Sequence, residues 1–234
     1  MEHKRLTLFA GHYGSGKTNI AVNYALLLAV EGKKVCIAVL DIVNPYFRTK
    51  DSEAVLHNAG VKLISPQFAN SNVDLPALPA EAYRLVEDKS IYGIMDIGGD
   101  DRGAYALGRY VPAILEENDY RMIFVANCCR PLTRTPEEAL EVMREIESAC
   151  GLRFTCIVNN SNLGPETTAE TVLESKAYIE KLCALSGLPL FATTADKSVA
   201  AELKQKIQNV IPLQLQEKYF DLPSQKPGNR PLWG

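Results

Sequence analysis

The run Gly11-His12-Tyr13-Gly14-Ser15-Gly16-Lys17-Thr18 fits G-x-x-x-x-G-K-[ST] at every fixed position. It lies between the apolar run Arg5 to Ala10 and the stretch Thr18 to Glu31, where Ile20, Ala21, Tyr24, Ala25, Leu27 and Leu28 recur at helical spacing before Gly32. Such a segment has to be strand, glycine-rich loop and helix in succession. Glycines let the loop turn through conformations closed to other residues, so its N–H groups can converge on one anion at the positive end of the helix. The spacing predicts that Lys17 reaches the β/γ-phosphates of a bound nucleotide and that the Thr18 hydroxyl takes a place on Mg²⁺. Gly11, His12, Tyr13, Gly14, Ser15, Gly16, Lys17, Thr18 and the following Asn19 form the expected nucleotide-binding set.

Downstream, apolar runs alternate with helical patterns. Val35 to Leu40, Val61 to Ile64, Ile91 to Met95, Met122 to Ala126, Phe154 to Val158 and Leu190 to Ala192 read as strands. Between them, helices are expected at about Thr49 to Ala59, Pro79 to Asp88, Gly103 to Glu116, Thr135 to Gly151, Thr167 to Ser186 and Ser198 to Gln208. Near-continuous apolar strands belong to a sheet covered on both faces. The fold expected is α/β, a doubly wound, mostly parallel sheet with helices on both faces, whose ligands sit beyond the carboxyl ends of the strands. Residues 1–209 read as one domain, and Val210 to Gly234, Pro-rich and aperiodic, as a tail.

At 234 residues the chain can bury a proper core in one domain. With 25 basic against 28 acidic residues it carries a net charge of −3, so no global basic field draws it to nucleic acid or anionic lipid. Apolar stretches are too short for a signal peptide or a membrane span, which points to the cytoplasm. The cysteines Cys36, Cys128, Cys129, Cys150, Cys156 and Cys183 are scattered and read as reduced thiols. Cys128-Cys129 stands at the ligand end of a strand, but adjacent cysteines lack the spacing of a chelating pair.

Two strands deliver an acid beside the loop. Asp96, ahead of Gly98-Gly99, fits the carboxylate that holds Mg²⁺ through its water shell, with Gly99 near the terminal phosphate. Asp41 is placed to orient the attacking water or to hold Mg²⁺. Lys17, Asp41 and Asp96 are thus the catalytic candidates, and Thr18, Asp41 and Asp96 the metal candidates. Arg48, Arg102 and Arg130 are rival sources of charge near the phosphates, though by type each reads first as an ordinary surface or ion-pair arginine. His3 and His57 read as structural or solvated.

With these residues in place, the chain resembles the MinD/ParA/CobQ branch of P-loop NTPases, which includes the nitrogenase-iron-protein-like ATPases. The resemblance extends to about Leu203. It implies Asp41 as the switch I acid, Asp96 with Gly98-Gly99 as switch II, Asn159 as the base-reading residue, and Thr193 to Val199, with Thr194 and Asp196, as the loop over adenine. It further implies ATP and Mg²⁺ as cofactors, ADP as product, a homodimer around the nucleotide and a protein partner driven by the switch. The chain departs from that family at His12, where most members carry a second lysine that reaches across the dimer. The loop is also similar to that of nickel-inserting metallochaperone GTPases, which read guanine through N-K-x-D. Here Asn159-Asn160-Ser161-Asn162 offers a neutral amide where that carboxylate belongs, so adenine is expected.

The function expected is a slow Mg²⁺-dependent ATPase switch acting on a protein partner, in metalloenzyme maturation or cargo positioning. The tail lacks the basic amphipathic face of membrane-positioning relatives, and no basic stripe suits DNA. Two alternatives stay open: a small-molecule kinase or ATP-dependent ligase whose acceptor pocket is built from Pro66 to Pro79 and Asn127 to Arg134, and a nucleotide sensor with vestigial hydrolysis.

Overall fold

The computed structural model describes residues 2–40, 45–64, 80–98 and 101–214, with the backbone alone for 45–51, 80, 101 and 102. Its centre is an eight-stranded sheet in the order β3-β2-β4-β1-β5-β6-β7-β8, every neighbouring pair parallel. The strands are β1 Leu6–Ala10, β2 Val35–Leu40, β3 Lys62–Ile64, β4 Tyr92–Ile97, β5 Tyr120–Ala126, β6 Cys156–Asn159, β7 Leu190–Asp196 and β8 Val210–Leu213. β1 stands where the strand order turns, with β4, β2 and β3 on one side and β5 to β8 on the other. That is where doubly wound sheets open a ligand crevice.

Period-two alternation sorts the strand residues between two cores. Leu6, Leu8 and Ala10 of β1 join Met95 and Ile97 of β4 on one face, which α6 (Pro136–Cys150) and α8 (Lys176–Ser186) cover through Met143, Ile146, Ile179 and Leu182. Phe9 and Ile94 point to the other face and meet Ile20, Ala21, Tyr24, Ala25 and Leu28 of α1 (Lys17–Val30). Full burial of one such large side chain is worth about 1.5–3 kcal/mol relative to exposure. This second layer holds α1 against β1 and β4.

α2 is longer than expected, Pro45–Asn58, while four expected helices are shorter or broken. The stretch from Gly103 to Glu116 divides into α4 (Asp101–Leu107) and α5 (Val111–Glu117), because Pro112 lacks the N–H that a continuous helix needs. Thr167 to Ser186 divides into α7 (Ala169–Glu174) and α8 at Ser175, a buried residue whose hydroxyl donates to the Val172 carbonyl at 2.6 Å. Pro79 to Asp88 becomes a 3₁₀ turn at Ala80–Tyr83 and the single turn α3 (Arg84–Glu87). The last helix, α9, covers only Lys197–Leu203.

Two strand boundaries move with consequences for the site. Asp96 lies inside β4, opposite Phe9 and Val39, rather than just beyond its end. Leu190 to Ala192 extends through Asp196, so Thr193 to Asp196 is strand and not loop. The sheet also continues past residue 209: Val210–Leu213, read as the start of the tail, pairs with Thr193–Asp196. Pro212 is tolerated there because β8 is an edge strand. Residues 215–234 lie outside the described residues, as do Asp41, Gly99 and the segment Pro66 to Pro79. No helix among the described residues is long and apolar enough to cross a membrane.

Candidate functional site

The loop between β1 and α1 is closed by short contacts that fix its shape. Ser15 N–H donates to the His12 carbonyl at 3.1 Å, and Gly14 and Gly16 take left-handed φ of 76° and 94°. Gly16 is tight as well as left-handed, since a Cβ there would lie 2.2 Å from Asn160 Nδ2. At Gly11 a Cβ would lie 2.6 Å from the Val125 carbonyl oxygen, which brings the loop's first residue directly onto β5.

Three side chains hold carbonyls of the loop. Lys17 Nζ donates to the His12 carbonyl at 3.1 Å, Arg130 Nε to Gly14 at 2.9 Å and Asn160 Nδ2 to Ser15 at 2.7 Å. These bonds, with the one from Ser15 N–H to the His12 carbonyl, fix the loop ahead of α1. That helix has Gly16 as N-cap, no side-chain cap and no acid in its first turn. The N–H groups of Lys17, Thr18 and Asn19 consequently have no carbonyl one turn back within the helix.

α6 makes the contrast plain. There Thr135 and Glu138 form a reciprocal capping box, and Glu137 adds charge to the first turn. α6 is capped by its own side chains, and α1 has no side-chain cap. The residues fit a nucleotide phosphate in this respect, because backbone N–H groups gather at the start of α1 with no acid in its first turn to repel an anion.

Asp96 is 1 % exposed and, by alternation, on the face covered by α1, opposite Phe9 just before the loop begins. Thr18 is buried at the second position of α1. A carboxylate and a hydroxyl are hard oxygen donors, the chemistry that suits Mg²⁺. Tyr13 is half exposed on the outer side of the loop, and His12 Nδ1 stands 2.9 Å from the Tyr13 carbonyl oxygen.

The base-side residues are arranged differently from the sequence reading. Asn159 turns away from the loop: its Nδ2 donates to Ser175 Oγ at 2.8 Å and its Oδ1 accepts from Ser161 N–H at 3.2 Å. The asparagine that meets the loop is Asn160. Its Oδ1 accepts from Thr194 Oγ1 at 2.7 Å while its Nδ2 holds Ser15, so Thr194 acts on the site through Asn160 from inside β7. Asp196 is the N-cap of α9, accepting from the Ser198 N–H and hydroxyl, and those two bonds lower its carboxyl pKa.

Asn127, fully buried after β5, organises the neighbouring turn. Its Oδ1 accepts from Cys129 N–H at 3.0 Å and its carbonyl accepts from Thr133 Oγ1 at 2.7 Å. The turn presents Arg130 to Gly14; the side chains of Arg48 and Arg102 lie outside the described residues. Cys128 and Cys129 are half-buried and unbridged, and burial together with the Cys128 thiol pushes Cys129 above the usual thiol range. Among the described residues no three His, Cys, Asp or Glu side chains converge as a metal site. Sequence reasoning placed Asn127 and Asn160 only within the runs Asn127 to Arg134 and Asn159 to Asn162, and missed their roles at the loop and the turn beside it. The only signal for them was the run of polar residues just past strands β5 and β6.

No protein-family model matches this chain, and no curated protein sequence does so at a significant level. Solved structures do. Cell division protein FtsY from Thermotoga maritima superposes with a TM-score of 0.56 at 17 % identity, over 82 % of this chain and 62 % of that one. Signal recognition particle receptor FtsY from Elizabethkingia anophelis, in complex with GDP, gives 0.53 at 15 % identity over 93 % and 62 %. Chloroplast FtsY from Physcomitrella patens gives 0.55 at 16 % identity over 82 % and 59 %.

This chain has the α/β fold of the P-loop NTPases. It spans about three fifths of each of those solved chains, and at such identities the likeness is one of fold. The doubly wound α/β fold named by the sequence is therefore found, and the neighbours that share it are FtsY proteins rather than members of the MinD/ParA/CobQ branch.

Proposed function

We propose that the chain binds Mg²⁺-ATP in the loop Gly11 to Thr18 and acts as a slow ATPase switch on a protein partner, working as a homodimer as the sequence resemblance implies. The observation that carries the reading is the contrast between α1 and α6: the N-terminus of α1 is uncapped and opens on a loop whose carbonyls are tied by Lys17, Arg130 and Asn160. A cradle of that form stabilises phosphate oxygens without reorganising when charge builds up on them.

In this reading the N–H groups at the start of α1 bind the phosphates, and Lys17 exchanges the His12 carbonyl for a phosphate oxygen. Thr18 and Asp96 hold Mg²⁺, which supplies neutralisation of phosphate charge when bound. Asp41 and Gly99 keep the roles read from the sequence, orienting water and meeting the terminal phosphate. Asn160 replaces Asn159 as the residue that joins the base side to the loop. Counting N-K-x-D from Asn160 puts Leu163, half exposed, at the carboxylate position. No carboxylate then stands there to accept the two guanine N–H groups, which supports adenine.

GDP in one of the fold neighbours favours the guanine alternative, and one titration separates the two. Calorimetry with Mg²⁺ and ATP, ADP, GTP or GDP is expected to show adenine nucleotides bound at least about tenfold tighter, and Lys17→Ala binding neither. Tighter guanine binding would reverse the base assignment. Unchanged binding by Lys17→Ala would remove the nucleotide reading altogether. Hydrolysis without an added metabolite supports the switch; consumption only with a metabolite supports the kinase.

A further inference from the structure

We infer that Arg130 is a positioning residue of the phosphate loop, setting nucleotide affinity through the Gly14 peptide rather than by acting at the reacting phosphorus. The inference rests on the nucleotide reading above and names the residue that tunes that site. Arg130 comes from the turn after β5 and crosses to a loop 116 positions earlier in the chain, where Nε donates to the Gly14 carbonyl at 2.9 Å. Its stem lies along the loop, since a Cβ at Gly14 would be 3.7 Å from Nε and 3.8 Å from Cδ.

The turn that presents it is built for the purpose. Arg130 N–H donates to the Asn127 carbonyl at 3.3 Å, Thr133 N–H to the Arg130 carbonyl at 3.1 Å and Thr133 Oγ1 to the Asn127 carbonyl at 2.7 Å. Asn127 also accepts from Asn162 N–H at 3.4 Å, which ties the turn to the segment that carries Asn160. Arg130 and Asn160 therefore grip the adjacent peptides Gly14 and Ser15 from neighbouring strand ends.

A charged donor on the Gly14 carbonyl polarises the Gly14–Ser15 peptide and strengthens the bond its N–H makes to the His12 carbonyl at 3.1 Å, which fixes the turn that shapes the cradle. The guanidinium also brings a fixed positive charge to the loop's outer wall in cis, where exposure leaves it partly screened by salt. Both effects act alike on a diphosphate and a triphosphate. They strengthen ground state and transition state together, which alters KM and leaves kcat nearly unchanged.

The test compares Arg130→Ala, Arg130→Gln and Arg130→Lys with the wild-type chain, using ADP and ATP with Mg²⁺ in calorimetry and steady-state hydrolysis. Arg130→Ala is expected to weaken both nucleotides by about tenfold and to raise KM similarly, with kcat changed less than about twofold. Arg130→Lys, keeping donor and charge, is expected to restore most of the affinity; Arg130→Gln, keeping a donor alone, to restore less and to show a flatter salt dependence. Melting temperatures of the nucleotide-free variants check that each is folded. Wild-type Kd and KM in Arg130→Ala, while Lys17→Ala loses binding, would overturn the assignment and leave the nucleotide reading standing. A fall in kcat at unchanged KM would overturn it too, placing Arg130 at the chemistry. Loss of nothing in Lys17→Ala would instead refute the reading on which it rests.

Discussion

Gly16→Ala combined with Asn160→Ala tests the packing behind the phosphate loop through the sign of a coupling energy. Alone, Gly16→Ala forces a residue with a Cβ into φ of 94°, a left-handed strain of about 1–2 kcal/mol. It also drives that Cβ to 2.2 Å from Asn160 Nδ2, so the asparagine has to move. Moving it breaks two buried bonds, to the Ser15 carbonyl and from Thr194 Oγ1, each 2.7 Å long and worth about 1 kcal/mol. The expected cost of Gly16→Ala is therefore about 3 kcal/mol, and that of Asn160→Ala about 2 kcal/mol. In the Asn160→Ala background the obstacle is gone, and Gly16→Ala should cost only its backbone strain, about 1 kcal/mol. The double variant is then about 2 kcal/mol less destabilised than the two changes added together. Urea unfolding of the four proteins, followed by far-ultraviolet circular dichroism at constant slope, reads that difference directly. Additivity within about 0.5 kcal/mol would refute the contact and with it the assignment of Asn160 as the loop's partner.

Two further expectations test other parts of the structure. Asn159→Ala removes the bond to Ser175 and should destabilise the chain by about 1–2 kcal/mol with nucleotide affinity unchanged, whereas Asn160→Ala should weaken nucleotide as well; equal losses of affinity in calorimetry would return Asn159 to the site. Glu117 is paired with Arg5, a nearly buried residue, and with Lys89 at 2.7 Å. Burial raises its pKa, the bonds from Arg5 and Lys89 lower it by more, and the net direction is down. A depressed folded pKa gives stability that is present above the unfolded value of about 4.3 and lost as pH falls through the folded value. Glu117→Gln should cost about 3 kcal/mol near neutral pH and progressively less below about pH 4, as measured by urea unfolding across pH; a gap that widens on acidification would contradict the pairing.

The position of the loop was legible in the sequence because its requirements are local. Only glycine adopts the backbone angles at Gly14 and Gly16 without strain, and the apolar runs on either side announce strand and helix whatever packs on them. The choice between Asn159 and Asn160 was not legible. Successive residues at a strand end face opposite ways, and which of two adjacent asparagines meets the loop depends on the register of β6 against β5, fixed by Ala126 lying opposite Asn159. The extension of β7 through Asp196 escaped for a related reason. Thr193 to Asp196 is strand because β8 lies beside it, and Val210–Leu213 is too short and too rich in proline to announce itself.

By itself, then, the sequence determined an α/β sheet of parallel strands, the strand–loop–helix that places a glycine-rich cradle after β1, and an acid on β4 near that cradle. Those features follow from glycine conformation and hydrophobic periodicity, which act over a few residues. Tertiary structure alone decided which side chains close the cradle from outside: Arg130 and Asn160 reach it from strand ends 116 and 145 positions along the chain from their partners, Gly14 and Ser15. Contacts of that range exist only once β1, β5 and β6 lie side by side, because the sheet's hydrogen bonding sets how far each strand end projects toward the loop.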